Sequence, residues 1–352
     1  MATLHMIAIV TLFLYFQSIA SDDTIIISSK AYSECTQLIS PKNDTVIEGI
    51  HSVAACGVQC ATETQCVAFS VSGTDNTCMI HREMFLTGVC YTGGWRHFNV
   101  QNRCMNGGDY DQEKLNCQCY GGYIGQFCER IMQDCTEGYR TGHYLKGNGM
   151  YLTYPNMAPS SFKVRCNMQY GGLTYIQIHK DGSTHFNRSW QEYKDGFGDL
   201  TKDFWLGNDR LVYLTNNRPQ TLTFIIKDLS YVRQRVYKYF TLSQDGLYAM
   251  TYEKTWGSIL PEESGGDCLA ELKEQPFSTF DRDNDDSPLN CAQEHKSGFW
   301  FKNCTPCNPN GVWSETPDRK RTGVPWEMFW TPGTEGNLLL SCHVYLKAIK
   351  LF

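Results

Sequence analysis

Hydrophobic positions near the amino terminus form one continuous run without helical or strand periodicity. The run extends from Ile7 to Phe16, which is too short to span a bilayer as a helix. Ser18 and Ala20 are small residues at the spacing that a signal peptidase recognises, so we predict a signal peptide over residues 1–20. No later apolar run approaches the length of a membrane span. The pattern therefore predicts a soluble protein that is secreted and extracellular.

Beyond this segment the apolar positions occur in short stretches. Residues 52–62 predict a short helix in which Cys56 and Cys60, one turn apart, share a face. Alternating apolar positions over residues 66–71 predict a strand. In the carboxy-terminal two-thirds, short runs such as residues 175–178 predict several strands with few helices between them. This pattern favours a mixed, sheet-centred α+β fold.

Composition narrows the class of protein. All 17 cysteines follow the predicted cleavage site, and in an extracellular chain this number indicates a disulfide framework. The net charge of −6 argues against a nucleic-acid partner, which requires a basic surface. The sequence contains neither a Gly-x-Ser-x-Gly motif nor a His-x-x-x-His zinc pair. We therefore expect a multi-domain, non-enzymatic protein.

The first block of six cysteines resembles a PAN/apple module, a small α+β domain in which one helix crosses a sheet. We place it over residues 21–100. A zinc site is the competing use of clustered cysteines, and secretion and the absence of paired histidines disfavour it. The resemblance implies three nested disulfides, Cys35–Cys90, Cys56–Cys78 and Cys60–Cys66.

The second block, residues 101–131, resembles an epidermal-growth-factor-like (EGF-like) module of short strands. Its ending, Cys117-x-Cys119 followed by eight residues and Cys128, fits that family, and Cys104 matches the family's second cysteine. The first and third family cysteines, which bond to each other, are both missing. The resemblance then implies the disulfides Cys104–Cys117 and Cys119–Cys128 and a role as a rigid spacer without a metal.

The third block, residues 132–352, resembles a fibrinogen C-terminal domain of the ficolin, tachylectin and angiopoietin-like type. The landmarks that carry the resemblance are the segments 171–200, 203–215, 297–304, 308–311 and 324–330. The resemblance implies a mixed α+β domain with a central antiparallel sheet and the disulfides Cys135–Cys166 and Cys291–Cys304. It also implies extracellular recognition.

An acidic loop, residues 277–292, is the main candidate for metal chemistry. Asp281, Asp283, Asp285 and Asp286 lie within six residues, and alternating carboxylates suit a hard cation such as Ca²⁺. The EF-hand pattern fails, because position six is Asp286 where Gly is needed and position twelve is Ala292 where Glu is needed. Residues alone leave a solvated acidic turn as the alternative.

The fibrinogen resemblance decides the register of this loop. It implies a structural Ca²⁺ bound by the carboxylates of Asp283 and Asp285 and the main-chain carbonyls of Ser287 and Leu289. Asp281 and Asp286 would then be outside the coordination shell or solvated.

The same resemblance places a ligand pocket beside the metal. The family's acetyl-binding pocket implies a cis peptide at Asn290–Cys291, and Trp313 is a further candidate for a groove. The side chains from which the lectins build their pocket are replaced here by Ala292 and Thr305, so the family's ligand does not carry over directly. The candidate pocket residues are Asn290, Cys291, Ala292, His295, Phe301 and Thr305.

The functional expectation is a calcium-dependent, lectin-like recognition protein, of the pattern-recognition type in innate immunity, that binds glycans or acetylated groups. The alternative is an extracellular-matrix protein or a receptor ligand that binds protein partners. Asn43 and Asn187 stand in N-glycosylation sequons.

The cysteine count leaves three residues without an implied partner, Cys268, Cys307 and Cys342. We expect two of them to form a bridge within the third domain. The remaining cysteine is expected either to link two subunits through a disulfide or to be a buried, inert thiol.

Overall fold

The computed structural model describes residues 26–29, 45–50, 52–62, 66, 68–72, 74–81, 95–101, 104–111, 116–257, 266–314, 322–331 and 337–349. The predicted signal peptide, the Cys35–Cys90 bridge and the Asn43 sequon lie outside these residues. The chain divides into two compact units, Met1–Tyr120 with Gln126–Glu129, and Gly121–Gly125 with Arg130–Phe352. No helix among the described residues is long and apolar enough to cross a membrane.

The first unit contains a five-stranded antiparallel sheet and one helix. The helix α1, Val53–Thr62, begins one residue after the predicted start. The sheet has the order β1-β5-β3-β4-β2, with β1 Ile26–Ser29, β2 Thr45–Glu48, β3 Ala68–Ser72, β4 Thr77–His81 and β5 Trp95–Gln101. Cys56 and Cys60 on the helix are buried with Phe69 and Ile80 of the sheet. Because Cys56 bonds to Cys78, a disulfide fixes the helix to β4. A second disulfide, Cys60–Cys66, closes the segment after the helix.

The stretch that the sequence predicts as EGF-like is divided between the units. Within the first unit, β6 (Asp109–Asp111) and β7 (Asn116–Gln118) form a hairpin. The disulfides there are Cys104–Cys117 and Cys119–Cys128, the pairs that the resemblance implied. Residues 121–125 and 130–131 belong to the second unit, where β8 (Tyr123–Ile124) pairs with β9 (Arg130–Ile131).

A nine-stranded antiparallel sheet organises the second unit, with β22 near its centre. The main path is β10-β11-β12-β22-β15-β16-β19, and β14 pairs with both β12 and β13. Two further two-stranded sheets are formed by β17 with β18 and by β20 with β21. The strands are β10 Asn148–Thr153, β11 Phe162–Asn167, β12 Leu173–His179, β13 Phe197–Gly198, β14 Phe204–Trp205, β15 Gln220–Lys227, β16 Val232–Lys238, β17 Thr241–Leu242, β18 Met250–Thr251, β19 Lys254–Gly257, β20 Cys307–Asn308, β21 Phe329–Trp330 and β22 Ser341–Ala348. The central antiparallel sheet expected from the sequence is therefore present.

The helices of the second unit are short, and all of those described except Asn208–Asn217 begin at a side-chain cap. Among the described residues they are α2 Cys135–Arg140, α3 Trp190–Asp195, α4 Asn208–Asn217 and α5 Cys291–His295. Ser189 caps α3 through a capping box with Glu192, which satisfies two backbone N–H groups at the start of the helix.

The core of the second unit follows from the strand pattern. In β22 the residues at alternate positions, Cys342, Val344 and Leu346, are buried, and those between them are partly exposed. A cluster of large aromatic side chains, including Tyr193, Trp205, Phe277 and Trp300, fills the space between the sheet and the loops. These loops carry the candidate sites.

The disulfides of the second unit resolve the three unassigned cysteines. Cys135–Cys166 and Cys291–Cys304 are the pairs implied by the resemblance, and Cys268 bonds to Cys307. Cys342 is free and is 0% exposed. The expected subunit link through the remaining cysteine is therefore wrong, because a thiol inside the central sheet cannot reach a second chain.

Candidate functional site

The acidic loop is held in place by hydrogen bonds to its neighbours. The side-chain amide of Asn284 donates to the Phe277 carbonyl at 2.7 Å, and its backbone N–H donates to Ser278 Oγ at 3.0 Å. The backbone N–H of Asp286 donates to the Lys302 carbonyl at 2.8 Å. The loop conformation is thus fixed by polar contacts in addition to the Cys291–Cys304 disulfide.

Asp285 connects the loop to helix α5. Its Oδ1 accepts from the Ser287 N–H at 2.9 Å and its Oδ2 from the Cys291 N–H at 3.0 Å. Asp283 Oδ1 accepts from the Asp285 N–H at 3.2 Å. Burial and the neighbouring Asp283 carboxylate raise the pKa of Asp285, against the opposing effect of its backbone hydrogen bonds.

The donor set of the loop fits Ca²⁺. No described residue donates a hydrogen bond to the carbonyl oxygens of Ser287 or Leu289, so these oxygens remain available beside the carboxylates of Asp283 and Asp285. Among the described residues, no group of three or more His, Cys, Asp or Glu side chains is placed to hold a metal ion. A cation here would therefore need main-chain oxygens and water, which Ca²⁺ accepts.

The other two aspartates of the loop have different surroundings. Asp281 Oδ1 accepts from the Trp190 N–H at 2.8 Å and from Thr279 Oγ1 at 2.7 Å, so Asp281 links the loop to the start of α3. Asp286 is exposed to solvent.

The Asn290–Cys291 peptide bond is trans, since the described residues contain no cis peptide. The expected cis bond is therefore wrong. In the trans arrangement Asn290 caps α5 by accepting from the Gln293 N–H at 2.8 Å, while the Cys291 N–H points to Asp285.

The pocket predicted from the sequence is a second correction. Cys291, Ala292 and Phe301 are each 0% exposed, and His295 is 5% exposed and stacks on Phe301 with ring centroids 5.2 Å apart. Thr305 donates its hydroxyl to the Cys307 carbonyl, and Asn290 serves as the helix cap. These residues support the loop from inside, and four of the six are too buried to contact a ligand.

An open cleft of about 530 Å³ lies elsewhere in the second unit. A volume of this size is typical of small-ligand sites. The cleft is lined by three segments that are distant in sequence: His179, Asp181, Gly182 and residues 184–187; Lys296 at the end of α5; and residues 311–313.

One wall of the cleft is a loop organised by a buried carboxylate. Asp203, which is 0% exposed, accepts from the N–H of Lys180 at 2.9 Å, of Asp181 at 3.3 Å and of Gly182 at 2.9 Å. Thr184 donates its hydroxyl to the Asp203 carbonyl at 2.9 Å. Because these bonds fix the backbone, the wall is formed before any ligand binds.

Trp313 forms a second wall, which is in contact with this loop. Its Nε1 donates to the Leu340 carbonyl at 3.0 Å. Gly182, at φ +68°, approaches so closely that a Cβ at this position would lie 2.7 Å from the indole ring. Only glycine fits both the backbone conformation and the approach.

Polar groups and a ring stack complete the cleft. Lys296 has left-handed backbone geometry, and its Nζ lies 4.5 Å from the centroid of the Trp326 ring. Asp181, His185 and Asn187 are exposed. At the base, His179 stacks on Phe186 at 4.1 Å. Burial lowers the pKa of His179 to about 4, although its contact with the Pro309 carbonyl opposes the shift.

Sequence reasoning identified only two of these residues, Trp313 as a groove candidate and Asn187 as a sequon. The signal that could have found the others is the polar, glycine-containing loop 179–187, which directly follows a buried strand.

Comparison with known proteins is consistent with the central sheet and the disulfides. Residues 131–337 match the family model of the fibrinogen beta and gamma chains, C-terminal globular domain. The chain belongs to this fibrinogen family.

Human fibrinogen-like protein 1 is 36% identical to the present chain over 216 residues, and the alignment covers 56% of the present chain and 67% of the relative. The fibrinogen-like globe domain of human ANGPTL6 aligns with a TM-score of 0.56 at 29% identity and covers 63% of this chain and 97% of that domain. Lamprey fibrin D-dimer, complexed with the peptide ligand Gly-His-Arg-Pro-amide, aligns with a TM-score of 0.55 at 26% identity and covers 62% of this chain and 75% of its own.

Proposed function

We propose that this fibrinogen-family protein is a secreted, calcium-stabilised recognition protein that binds extracellular glycans or acetylated groups in the cleft. The observation that carries the proposal is the combination of a preformed polar loop with an indole wall. Sugars present polar hydroxyls and an apolar ring face, and sites for small ligands combine aromatic walls with a few fixed polar groups. We assign no catalytic residue.

Trp313 and Asp181 are the residues on which we expect glycan binding to depend. Trp313 would stack on a sugar ring, and Asp181 would accept hydrogen bonds from hydroxyl groups. Its own side chain accepts from the Ser183 N–H at 3.0 Å, which fixes its orientation in the loop.

A glycan array tests this proposal. The secreted protein is treated with an N-glycosidase, so that its own sugars cannot compete, and is applied with millimolar Ca²⁺ or with a chelator. We expect calcium-dependent binding to a restricted set of glycans and its loss in Asp181→Asn. Absence of binding to any glycan would contradict the proposal.

Calcium is a proposal of its own, with Asp283, Asp285 and the carbonyls of Ser287 and Leu289 as ligands. When bound, Ca²⁺ would neutralise the two carboxylates and stabilise the loop that begins α5. A ligand that binds only the folded state raises the melting temperature by mass action. We expect millimolar Ca²⁺ to raise the Tm of chelator-treated protein.

The calcium test has a matched pair of variants. Asp283→Asn should abolish the increase in Tm, whereas Asp286→Asn, at an exposed neighbouring position, should preserve it. An unchanged calcium response in Asp283→Asn would show that these are not the ligands.

We further propose a PAN/apple-like module over residues 21–100 and an EGF-like spacer over residues 101–131, after a signal peptide at 1–20. The helix fixed to the five-stranded sheet by Cys56–Cys78 supports the first of these modules. The hairpin with Cys104–Cys117 and Cys119–Cys128 supports the second. In this arrangement the carboxy-terminal domain is the recognition domain.

A second candidate function, binding of an extracellular protein, is favoured by an exposed apolar turn between β15 and β16. Leu229, Tyr231 and Val232 are each about half exposed, and projecting apolar side chains of this kind mark protein contacts. Asp228 fixes the turn by accepting from the N–H groups of Ser230 and Tyr231. Binding to cells that is lost in Tyr231→Ser and is insensitive to sugars would favour this alternative.

A further inference from the structure

We propose that the N-glycan carried by Asn187 occupies the cleft and thereby controls the access of external glycans. The proposal rests on the proposed function, because it assumes that the cleft accepts sugars. It adds the identity of the first occupant, which is the core of the chain's own glycan.

The position of the sequon carries this inference. Asn187 stands in Asn187-Arg188-Ser189, is exposed, and lines the cleft. No described residue forms a hydrogen bond with its side-chain amide, so the amide nitrogen is available for modification. A sugar attached at a residue of the cleft wall must begin within the cleft or at its rim.

The walls offer contacts to the first sugars of that glycan. The N-linked core begins with two N-acetylglucosamine residues. Their apolar ring faces can stack on the indole of Trp313, and their hydroxyl and acetamido groups can pair with Asp181 and Lys296. Lys296 forms no salt bridge among the described residues. Its ammonium group lies over the Trp326 ring and can donate hydrogen bonds to sugar oxygens.

Attachment makes this occupancy effective even when the contacts are weak. A tethered ligand on a short linker has an effective concentration in the millimolar range. Binding of an external sugar is weakened by a factor of one plus the ratio of this effective concentration to the dissociation constant of the attached sugars. For a millimolar dissociation constant, we therefore expect the glycosylated protein to bind external glycans about two- to tenfold more weakly than protein that lacks the Asn187 glycan.

The local structure allows the sequon to be altered without damage to the fold. Ser189 Oγ accepts from the Glu192 N–H as the cap of α3, so replacing Ser189 by Ala would remove the cap together with the sequon. Asn187→Gln removes the sequon alone. Ser189→Thr is the matched control, because threonine keeps both the sequon and a capping hydroxyl.

The experiment uses the full chain secreted from cells that glycosylate proteins. Peptide mapping first determines the occupancy of Asn187, and binding of N,N′-diacetylchitobiose is then measured by titration calorimetry. We expect Asn187→Gln to bind the disaccharide, and wild type and Ser189→Thr to bind it about two- to tenfold more weakly. The double variant Asn187→Gln/Trp313→Phe should bind the disaccharide more weakly than Asn187→Gln alone, since the smaller ring of phenylalanine stacks less well on a sugar.

Each other outcome overturns the inference. An unmodified Asn187 in the secreted protein removes the proposed occupant. Equal binding by wild type and Asn187→Gln shows that the glycan lies outside the cleft, and leaves the proposed function intact. Failure of Asn187→Gln to bind chitobiose, while the glycan array is positive for other sugars, shows that the cleft does not accept the glycan core. A negative array with N-glycosidase-treated protein contradicts the proposed function as well.

Discussion

His179, at the base of the cleft, should make stability depend on pH. The side chain is 2% exposed and burial lowers its pKa to about 4, well below the value of about 6.5 in an unfolded chain. Between these values the unfolded state binds more protons than the folded state. Acidification from about pH 6.5 to about pH 4 should therefore reduce the free energy of unfolding, by on the order of 3 kcal/mol for this residue. His343, whose pKa burial also lowers to about 4, acts in the same direction.

Urea titrations across this pH range measure the effect. His179→Gln should reduce the pH dependence, although it also removes the stacking on Phe186. His185→Gln, at an exposed position, is the control. Because His185 makes only a minor contribution to the lowered pKa of His179, this variant should change the pH dependence much less than His179→Gln does. An identical pH profile for His179→Gln and wild type would contradict the assignment.

Cys342 should be chemically inert in the folded protein. Its thiol is 0% exposed in β22, and burial raises its pKa well above the usual value. The reactive thiolate is therefore scarce as well as inaccessible. We expect a maleimide or iodoacetamide to modify Cys342 only after denaturation, as measured by mass spectrometry of tryptic peptides. Modification of the native protein at the rate of a free thiol would contradict this.

The roles of individual side chains could be predicted from the sequence only where residue type and spacing along the chain determine them. Six of the disulfide pairs follow from the family resemblances, whereas the Cys268–Cys307 pair could not be assigned from the sequence. Metal binding by Asp283 and Asp285 stays a prediction. The burial of His295 does not follow from the sequence, because it depends on Phe301 and Phe329, which come from two later segments. For the same reason the sequence predicts a ligand pocket from residues such as Cys291, Ala292 and Phe301, which the fold buries.

At the scale of single elements, the loop 180–183 depends on one carboxylate from another segment. Three backbone N–H groups donate to Asp203. In Asp203→Asn the amide carries no charge and offers only one acceptor oxygen, so at least one of these partly buried N–H groups loses its partner. We expect a loss of about 2 kcal/mol in the free energy of unfolding and faster amide hydrogen exchange at Lys180–Gly182.

Asp199→Asn is the matched control for this variant. Asp199 is exposed in the same turn region, and among the described residues its side chain forms hydrogen bonds only with nearby Thr201, so the change should stay within about 0.5 kcal/mol. If the two variants destabilised the protein equally, Asp203 would not be what organises the cleft wall.

Elements with strong local signals were predictable, and the assembled cleft was not. The cysteine-bearing helix α1 begins within one residue of its predicted start, because its periodicity and cysteine spacing are local. The cleft requires that residues 179–187, Lys296 and Trp313 meet. Their meeting depends on the order of the strands in the nine-stranded sheet, and no short segment contains this information.

At the scale of the whole molecule, the family match covers the second unit and leaves the first to be interpreted from cysteines alone. The landmarks of the fibrinogen domain are numerous, so the fold could be predicted before the structure. The boundary could not, because residues 121–125 and 130–131 look like the end of an EGF-like module in sequence and belong to the larger unit in space.

The two units should unfold in separate steps. Each has its own buried cluster, one around Cys56, Cys60 and Phe69 and one around the aromatic residues of the large sheet, and units with separate cores commonly unfold independently. Differential scanning calorimetry should therefore show two transitions. Because the acidic loop belongs to the larger unit, millimolar Ca²⁺ should raise only the transition temperature of that unit. Asp283→Asn identifies this transition by removing its calcium response, while Asp286→Asn serves as the control. A single transition whose calorimetric and van't Hoff enthalpies agree would show instead that the units unfold together. A calcium shift of both transitions would contradict the assignment of calcium binding to the larger unit alone.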